Sequence, residues 1–479
     1  MTSSCGGCGL FVLTVRALLG RPTWGRSPAL TQSAAVSQSR AVITSSKTQH
    51  APHTHTQSRS VVTSSKTCSL EPLSPTQRKS PGATGKKGER TSPSSRSSQR
   101  NLSAAAAVAV AMKEQYRPQP ARGAVGRHSS SALDLGDVVE NTRRALACKS
   151  LRRFLVEPAL ARLVTEHLAD DIRHSNALIL ECDPGPGLLT RALLNCGAQR
   201  LVALEGDKTF LPDLQALERR VCVPGQLEVL HCDFAKLDPI RQGNMRPPAM
   251  YSEKLFTHLG VEEADWTADV PVRVVGMFSL KSERNLLLKL VYSLFERLSV
   301  FRYGRIELIV FITEREYTRL VAKPGNFRAY QPVGALWQMA CNIQLLHKEP
   351  ASSFVTTSKD GRLAIPKNAL PDDNMCLVRL TPREDFFTSR LTPHNGGTLV
   401  MMVKQCLAKR RALLVERLDS WSADSGSVLV REMGLFEDVL TGQLYPEEYK
   451  QLFSLMEQSQ QFKQSWLYEE ILENTKVSC

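Results

Sequence analysis

Apolar positions between residues 177 and 380 follow two alternating periods. Five short runs are almost wholly apolar: ALILEC (177–182), RLVALE (200–205), LEVLHC (227–232), VRVVGMF (272–278) and RIELIVFIT (305–313). Between them apolar residues recur every three to four positions, which predicts helices from Leu188, around Phe210 to Arg219, and over 282–298. NIQLLHKE (342–349) and MCLVRL (375–380) read as two later strands. Near-continuous apolar strands suit burial on both faces. Their alternation with helices predicts an α/β fold, a doubly wound and mostly parallel sheet. Upstream, LRRFLVEPALARLVTEHL (151–168) has helical spacing, with Pro158 tolerated if it falls in a first turn. From about residue 385 the pattern turns helical, over 397–418, 427–440 and 446–460. The expected division is a tail over 1–145, an α/β domain over 146–384 and a smaller helical domain over 385–479, with order beginning near Leu146.

Charge separates the tail from the body. The chain of 479 residues carries a net charge of +14. Residues 1–100 hold 14 Lys and Arg against only Glu71 and Glu89, which is +12, so the rest is close to neutral. A nucleic-acid surface on the body must therefore come from local clustering. Arg16, Arg21 and Arg26 stand in an acid-free, Ser/Thr-rich background, and Phe11, Val15, Leu18 and Leu19 share one helical face. This combination predicts a mitochondrial presequence. A secretory signal would want a longer apolar run than the one Arg16 interrupts. The rest of the tail is Ser, Thr, Pro and Arg, with QSRAVITSSKT (38–48) repeated as QSRSVVTSSKT (57–67), and reads as disordered. AAAAVAVAM (104–112) is too short to span a membrane, so no membrane partner is expected. The 12 cysteines are scattered and the one CxxC, Cys5 to Cys8, has no second pair, which argues against zinc and for a reducing compartment.

The candidate chemistry sits in ECDPGPGLLT (181–190), a strand end, a glycine loop and a helix start. In a doubly wound sheet, ligands bind off the carboxyl ends of the strands. Gly185 and Gly187 allow close backbone approach. Glu205 ends the second strand 20 residues after Gly185, where a carboxylate can accept from two ribose hydroxyls. Asp233 ends the third strand and can face an adenine amine. Thr190 at the third glycine position argues against NAD, and Glu181 with Asp233 suits S-adenosyl-L-methionine better. Asp183 stands where the backbone would favour another glycine.

Several stretches, in order, then resemble one family. They are RRFL (152–155), ECDPGPGLLT, VALEGDKTF (202–210), HCDF (231–234), VRVVGMF, TEREYTRLVAKPGN (313–326) and SSF (352–354). The family is the ribosomal-RNA adenine dimethyltransferases with their mitochondrial relatives, the transcription factor B proteins, and the resemblance is strongest to the second-paralogue branch. It implies the sheet of the S-adenosylmethionine methyltransferase type. It also implies cofactor contacts at Leu155, Gly185, Gly187, Glu205 and Asp233, with Asp183 departing from the glycine of active members.

Methylating an adenine amine requires a flipped base stacked on an aromatic ring and acceptors that hold the amine at the methyl donor. The active family supplies these with Asn-Leu-Pro-Tyr/Phe. Here the stretch is Val275-Gly276-Met277-Phe278. Phe278 keeps a ring for base stacking. Val275 offers no side-chain acceptor, and an unpaired buried donor costs about 1–3 kcal/mol, roughly one to two decades in rate. Activity is therefore expected to be weak or absent. The second-paralogue resemblance implies instead an initiation factor that melts promoters with the single-subunit mitochondrial RNA polymerase, in the matrix and nucleoid. Implied partners are that polymerase, a melted promoter DNA strand and the mitochondrial DNA-packaging factor of the high-mobility-group class. The alternative is a mitochondrial dimethyltransferase acting on small-subunit rRNA. Candidate nucleic-acid contacts are Arg152, Arg153, Arg302, Arg305, Lys404, Lys409, Arg410 and Arg411, with weaker expectations for the C-terminal WLYEEILENTKVSC.

Overall fold

The structure, a computed structural model, describes residues 132–239, 245–278, 283–357, 373–465 and 467–468. These belong to one compact unit. The expected presequence, the repeated tail segment and nearly all of the C-terminal WLYEEILENTKVSC lie outside the described residues. Order starts earlier than the pattern implied, with a helix at Val138–Leu146 whose first turn is capped by the Asp137 side chain.

Pro158 decides the next element. The helix expected over 151–168 begins only at Pro158 and runs to His174. Proline fits the first helical turn, where its missing N–H would have had no partner. The residue before a proline is pushed out of helical conformation, and Glu157 is extended (φ −91°, ψ 119°). The preceding stretch is instead strand β1 (Arg153–Leu155). The main sheet follows as β2 (Leu178–Cys182), β3 (Leu201–Leu204), β4 (Leu227–Leu230), β5 (Val272–Met277) and β6 (Glu307–Thr313). Helices at Leu188–Asn195, Leu211–Arg220, Ser252–His258 and Glu283–Phe295 lie between them. Then come β7 (Cys341–Pro350), β8 (Phe354–Thr356) and β9 (Asn374–Pro382).

Seven strands pair in the order β4-β3-β2-β5-β6-β9-β7. The first five are parallel, and β9 runs antiparallel to both β6 and β7. This is the doubly wound sheet of the methyltransferase type. The pattern of apolar runs reveals strands but not their direction, so the antiparallel hairpin at one edge was not legible. The strand order reverses between β2 and β5, and the carboxyl ends there form the ligand-binding crevice of such sheets.

Period-two alternation divides the core. Leu178, Leu180, Val272, Val274, Leu308 and Val310 face one layer, while Ile179, Leu201, Val275, Met277, Ile309 and Phe311 face the other. The first layer continues into the C-terminal helices through Leu399, Met402, Leu418, Val430 and Phe453. The helix expected over 397–418 is two, Gly396–Ala408 and Leu414–Asp419. The break occurs because residues 441 and 442 bond the carbonyls of Lys409 and Arg410. The segment 427–440 likewise ends early, at Glu432, two residues before Gly434 at φ 71°. Among the described residues no helix is long and apolar enough to cross a membrane.

Candidate functional site

The loop after β2 has the shape a cofactor loop needs. Gly185 and Gly187 are left-handed, at φ 57° and 76°, and Asp183 adopts φ 54°. Aspartate tolerates that region better than most side chains, so the loop keeps its course without a glycine. The Asp183 amide donates to the Leu204 carbonyl (3.0 Å), which fixes the loop against β3.

At the end of β3, Glu205 is fully buried. Arg152 Nη1 donates to its Oε1 (2.6 Å) and Nη2 to its Oε2 (3.1 Å). The Gly185 amide also donates to Oε2 (2.9 Å), and the Asp207 amide to Oε1 (2.6 Å). An ionised carboxylate has about four lone-pair sites, and all are taken within the chain. Arg152 is only 7% exposed. Its guanidinium carbon lies 4.9 Å from the centre of the Phe154 ring and 5.5 Å from that of Phe210. The Asp183 carboxylate approaches it at 3.6 Å. Burial works against the Arg152 charge, but Asp183 and Glu205 outweigh it and hold the guanidinium above its ordinary range. Burial pushes the Asp183 carboxyl up to about 7 against the pull of Arg152.

Local pairing explains why Arg152 is there. Strand β1 pairs antiparallel with β8, Leu155 opposite Phe354 and Arg153 opposite Thr356. One step beyond, the Thr357 amide donates to the Arg152 carbonyl (2.9 Å). This pins the arginine backbone at the crevice. The same pairing lays Phe154 over the loop, where a Cβ on Gly185 would come within 2.6 Å of its ring.

Glu181, next to the end of β2, is almost fully buried, and among the described residues neither of its carboxylate oxygens has a hydrogen-bond partner. Burial pushes its pKa up to about 8. Asp233 follows β4. Its Oδ1 accepts from the Ala235 amide (3.0 Å) and Oδ2 pairs with Lys236. At the end of β5, Val275 is fully buried opposite Glu181 and Ile309 in the sheet. Phe278 is 2% exposed and stacked on Phe234, with centroids 6.4 Å apart at 14°. The structure thus places the Phe278 ring, the one expected to stack a base, in the core layer beside Phe234.

Residues 152–458, more than half of the chain, match the family described as Ribosomal RNA adenine dimethylase. The chain belongs to that family. This dimethylase-family chain is 39% identical over 332 residues to a Homo sapiens protein named Dimethyladenosine transferase 2, mitochondrial, covering 68% of the chain and 83% of the relative. It is 25% identical over 280 residues to Dimethyladenosine transferase 1, mitochondrial, of Vermamoeba vermiformis, covering 54% and 76%. Among solved structures, a dimethyladenosine transferase from Plasmodium falciparum overlays with a TM-score of 0.43 at 15% identity, covering 63% of this chain and 95% of that one.

The family implies S-adenosyl-L-methionine, and the fit to this dimethylase-family crevice is uneven. The loop course and the unpartnered Glu181 suit a ligand. The ribose position does not, since Glu205 has no acceptor left and Phe154 covers Gly185. Leu155, Glu181, Gly185, Gly187, Glu205 and Asp233 do lie on β1 and on the carboxyl ends of β2, β3 and β4. The basic candidates scatter. Arg152 lies inside the crevice rather than on a nucleic-acid face, because Glu205 and Asp183 draw it in. Arg153 is half-buried toward Glu283 and Asp373. Arg302 pairs with Glu263 (2.6 Å), and Arg305 donates to the Ala268 carbonyl (2.8 Å) with Glu384 at 3.5 Å. Lys404 is half-buried, while Lys409 and Arg411 are exposed and Arg410 half-buried, side by side. Phe154, Phe210 and Thr357 were missed as site residues. The signal for Phe154 and Phe210 was present in RRFL and KTF, but nothing local pointed to Thr357 or indicated that Arg152 would meet a carboxylate 53 residues away.

Proposed function

We propose that this chain is a mitochondrial transcription initiation factor, built on a methyltransferase fold whose methyl-transfer machinery is retired. One observation carries the second half of this reading. The carboxylate placed to hold a cofactor ribose is saturated by Arg152, Gly185 and Asp207. Val275 at the acceptor end adds to it, since an aliphatic side chain cannot take a hydrogen bond from an adenine amine. The motif resemblance to the second-paralogue branch supports the first half. The names of the relatives and the presequence-like segment support the mitochondrion, with the matrix nucleoid as the compartment of this role. The partners are the single-subunit mitochondrial RNA polymerase, a melted promoter strand and the packaging factor of the high-mobility-group class.

A second reading, dimethylation of small-subunit rRNA with S-adenosyl-L-methionine, is favoured by family membership and by the intact loop course at Gly185 and Gly187. Run-off transcription with the matching polymerase separates the two. The chain is expected to be required on a closed linear promoter and largely dispensable on one already melted at the start site. No effect on either template overturns the transcription reading and leaves methyl transfer as the account to test.

A further inference from the structure

A cavity of about 150 Å³ opens at the amino ends of β2, β3 and β5, the end of the sheet opposite the crevice. Its floor is apolar. Leu168 and Ile172 come from the helix Pro158–His174, Ile179 from β2 and Ala198 from the turn before β3, and none is more than 8% exposed. Its polar wall holds Asp171, Ser175 and Arg273, and Arg200 stands exposed at the mouth. β2 runs from this cavity to the crevice, so the two lie about 13 Å apart at opposite ends of one strand.

The cations of the cavity are held in place from within the fold. Arg273 Nε donates to Glu307 Oε2 (2.9 Å) and Nη1 to the Ser175 hydroxyl (2.8 Å). Nη2 has two hydrogens and, among the described residues, only the approach of Asp171 Oδ1 at 3.4 Å, so it keeps donor capacity. Arg200 Nη2 donates to the Leu259 carbonyl (2.6 Å), which anchors that guanidinium. The charge does not cancel. Asp171 is shared, since Arg379 Nη2 also donates to its Oδ2 (2.6 Å). Arg273 and Arg379 are thus balanced by Asp171 and Glu307. Arg200 adds a positive charge that no carboxylate pairs among the described residues.

An apolar floor with a few fixed polar groups is the layout of small-molecule sites. The volume is that of one ring, since an aliphatic cavity of about 150 Å³ takes benzene. The surplus positive charge selects an anion. We propose that this cavity is a binding site for a small monocyclic carboxylate. The ring rests on Leu168, Ile172, Ile179 and Ala198, and the carboxylate accepts from Arg200 and from Arg273 Nη2. Donors already fixed by Glu307, Ser175 and Leu259 lose little freedom when the ligand arrives. The site is independent of the function proposed above.

The test is a ligand-observed NMR titration of the full chain with benzoate, read as saturation transfer from the protein to the ring protons. Benzoate is expected to bind the parent with a dissociation constant of about 1 mM, in keeping with its few atoms. Arg200→Ala weakens binding about tenfold, the loss of one charge-assisted hydrogen bond. Ala198→Leu fills the floor and abolishes binding. Benzamide keeps the ring without the charge and binds about tenfold more weakly. Acetate keeps the charge without the ring and does not compete at equal concentration. Absence of saturation transfer in the parent overturns the proposal. So does benzoate binding that survives both Arg200→Ala and Ala198→Leu, or that acetate displaces, since either result places the ligand on the basic N-terminal segment or elsewhere. Equal affinity for benzamide and benzoate overturns the carboxylate assignment. If Ala198→Leu fails to fold, Arg200→Ala and the benzamide comparison decide, because Arg200 is exposed and its replacement leaves the core intact.

Discussion

Replacing Arg152 tests the central geometry most directly. Arg152→Ala removes both charge-assisted bonds to a carboxylate that is fully buried. Breaking a buried ion pair from one side costs about 3–5 kcal/mol, because the remaining charge is left uncompensated. Total stabilities run about 5–15 kcal/mol, so a large share of the fold's margin is at stake. At about 2 °C per kcal/mol for a chain of this size, the melting temperature should fall by about 6–10 °C. Arg152→Gln keeps an N–H donor and should fall less. Either substitution frees acceptor capacity on Glu205 that Arg152 occupies in the parent. S-adenosylhomocysteine can then bind, and at one hundred times its dissociation constant it returns about 2.7 kcal/mol. In the parent chain the ligand must first displace Arg152. At about 1.4 kcal/mol per tenfold, that weakens its apparent affinity by about two to four orders of magnitude. Differential scanning fluorimetry with and without the ligand should show stabilisation of Arg152→Gln and almost none of the parent. Equal stabilisation of the two, or an Arg152→Ala variant that melts with the parent, would refute the reasoning.

Two further outcomes follow from buried groups. Burial raises the folded pKa of Glu181 from the ordinary 4.5 to about 8, so the folded state holds this proton more tightly than the unfolded chain. The resulting stability is present below about pH 4.5 and is lost as pH rises through the folded pKa. Glu181→Gln should remove a slope of about 1.4 kcal/mol per pH unit over that window, read from denaturant titrations at several pH values; an unchanged slope would show that Glu181 does not titrate there. Val275→Asn with Met277→Pro, made in the Arg152→Gln background that frees the donor site, returns an acceptor to the end of β5 and should raise methyl transfer to a small-subunit rRNA hairpin by about one to two decades over Arg152→Gln alone, at about 1–3 kcal/mol of stability for burying the amide. Methyl transfer that stays at the Arg152→Gln level would remove the missing acceptor as the explanation.

Much of the α/β core was legible because its strands are short, nearly all apolar and separated by helical spacing. Bounds for β2 to β6 lie within two residues of those runs, and the loop glycines fall where a strand-to-helix turn places them. Direction and distance were not legible. Nothing in MCLVRL says that β9 runs against its neighbours. The apolar period of 397–418 continues across Lys409 and Arg410, because the bonds that stop the helix come from residues some thirty positions later. Arg152 and Arg153 read as surface cations for the same reason. Their partners, Glu205 and the neighbourhood of Glu283, arrive only through the pairing of β1 with β8. The consequence for experiment is concrete. Glu205→Ala alone leaves Arg152 buried without its partner, so loss of transcription in that variant would report on folding as readily as on cofactor use.

The saturated carboxylate also bears on what the fold depends upon. A ligand stabilises a protein only through binding that the folded state makes and the unfolded chain does not. With Glu205 satisfied from within, the folded population has little free energy to gain from the methyl donor or its spent product. On this geometry the stability of the chain does not track the level of either small molecule. On the transcription reading proposed above, indifference to a fluctuating metabolite is the useful property.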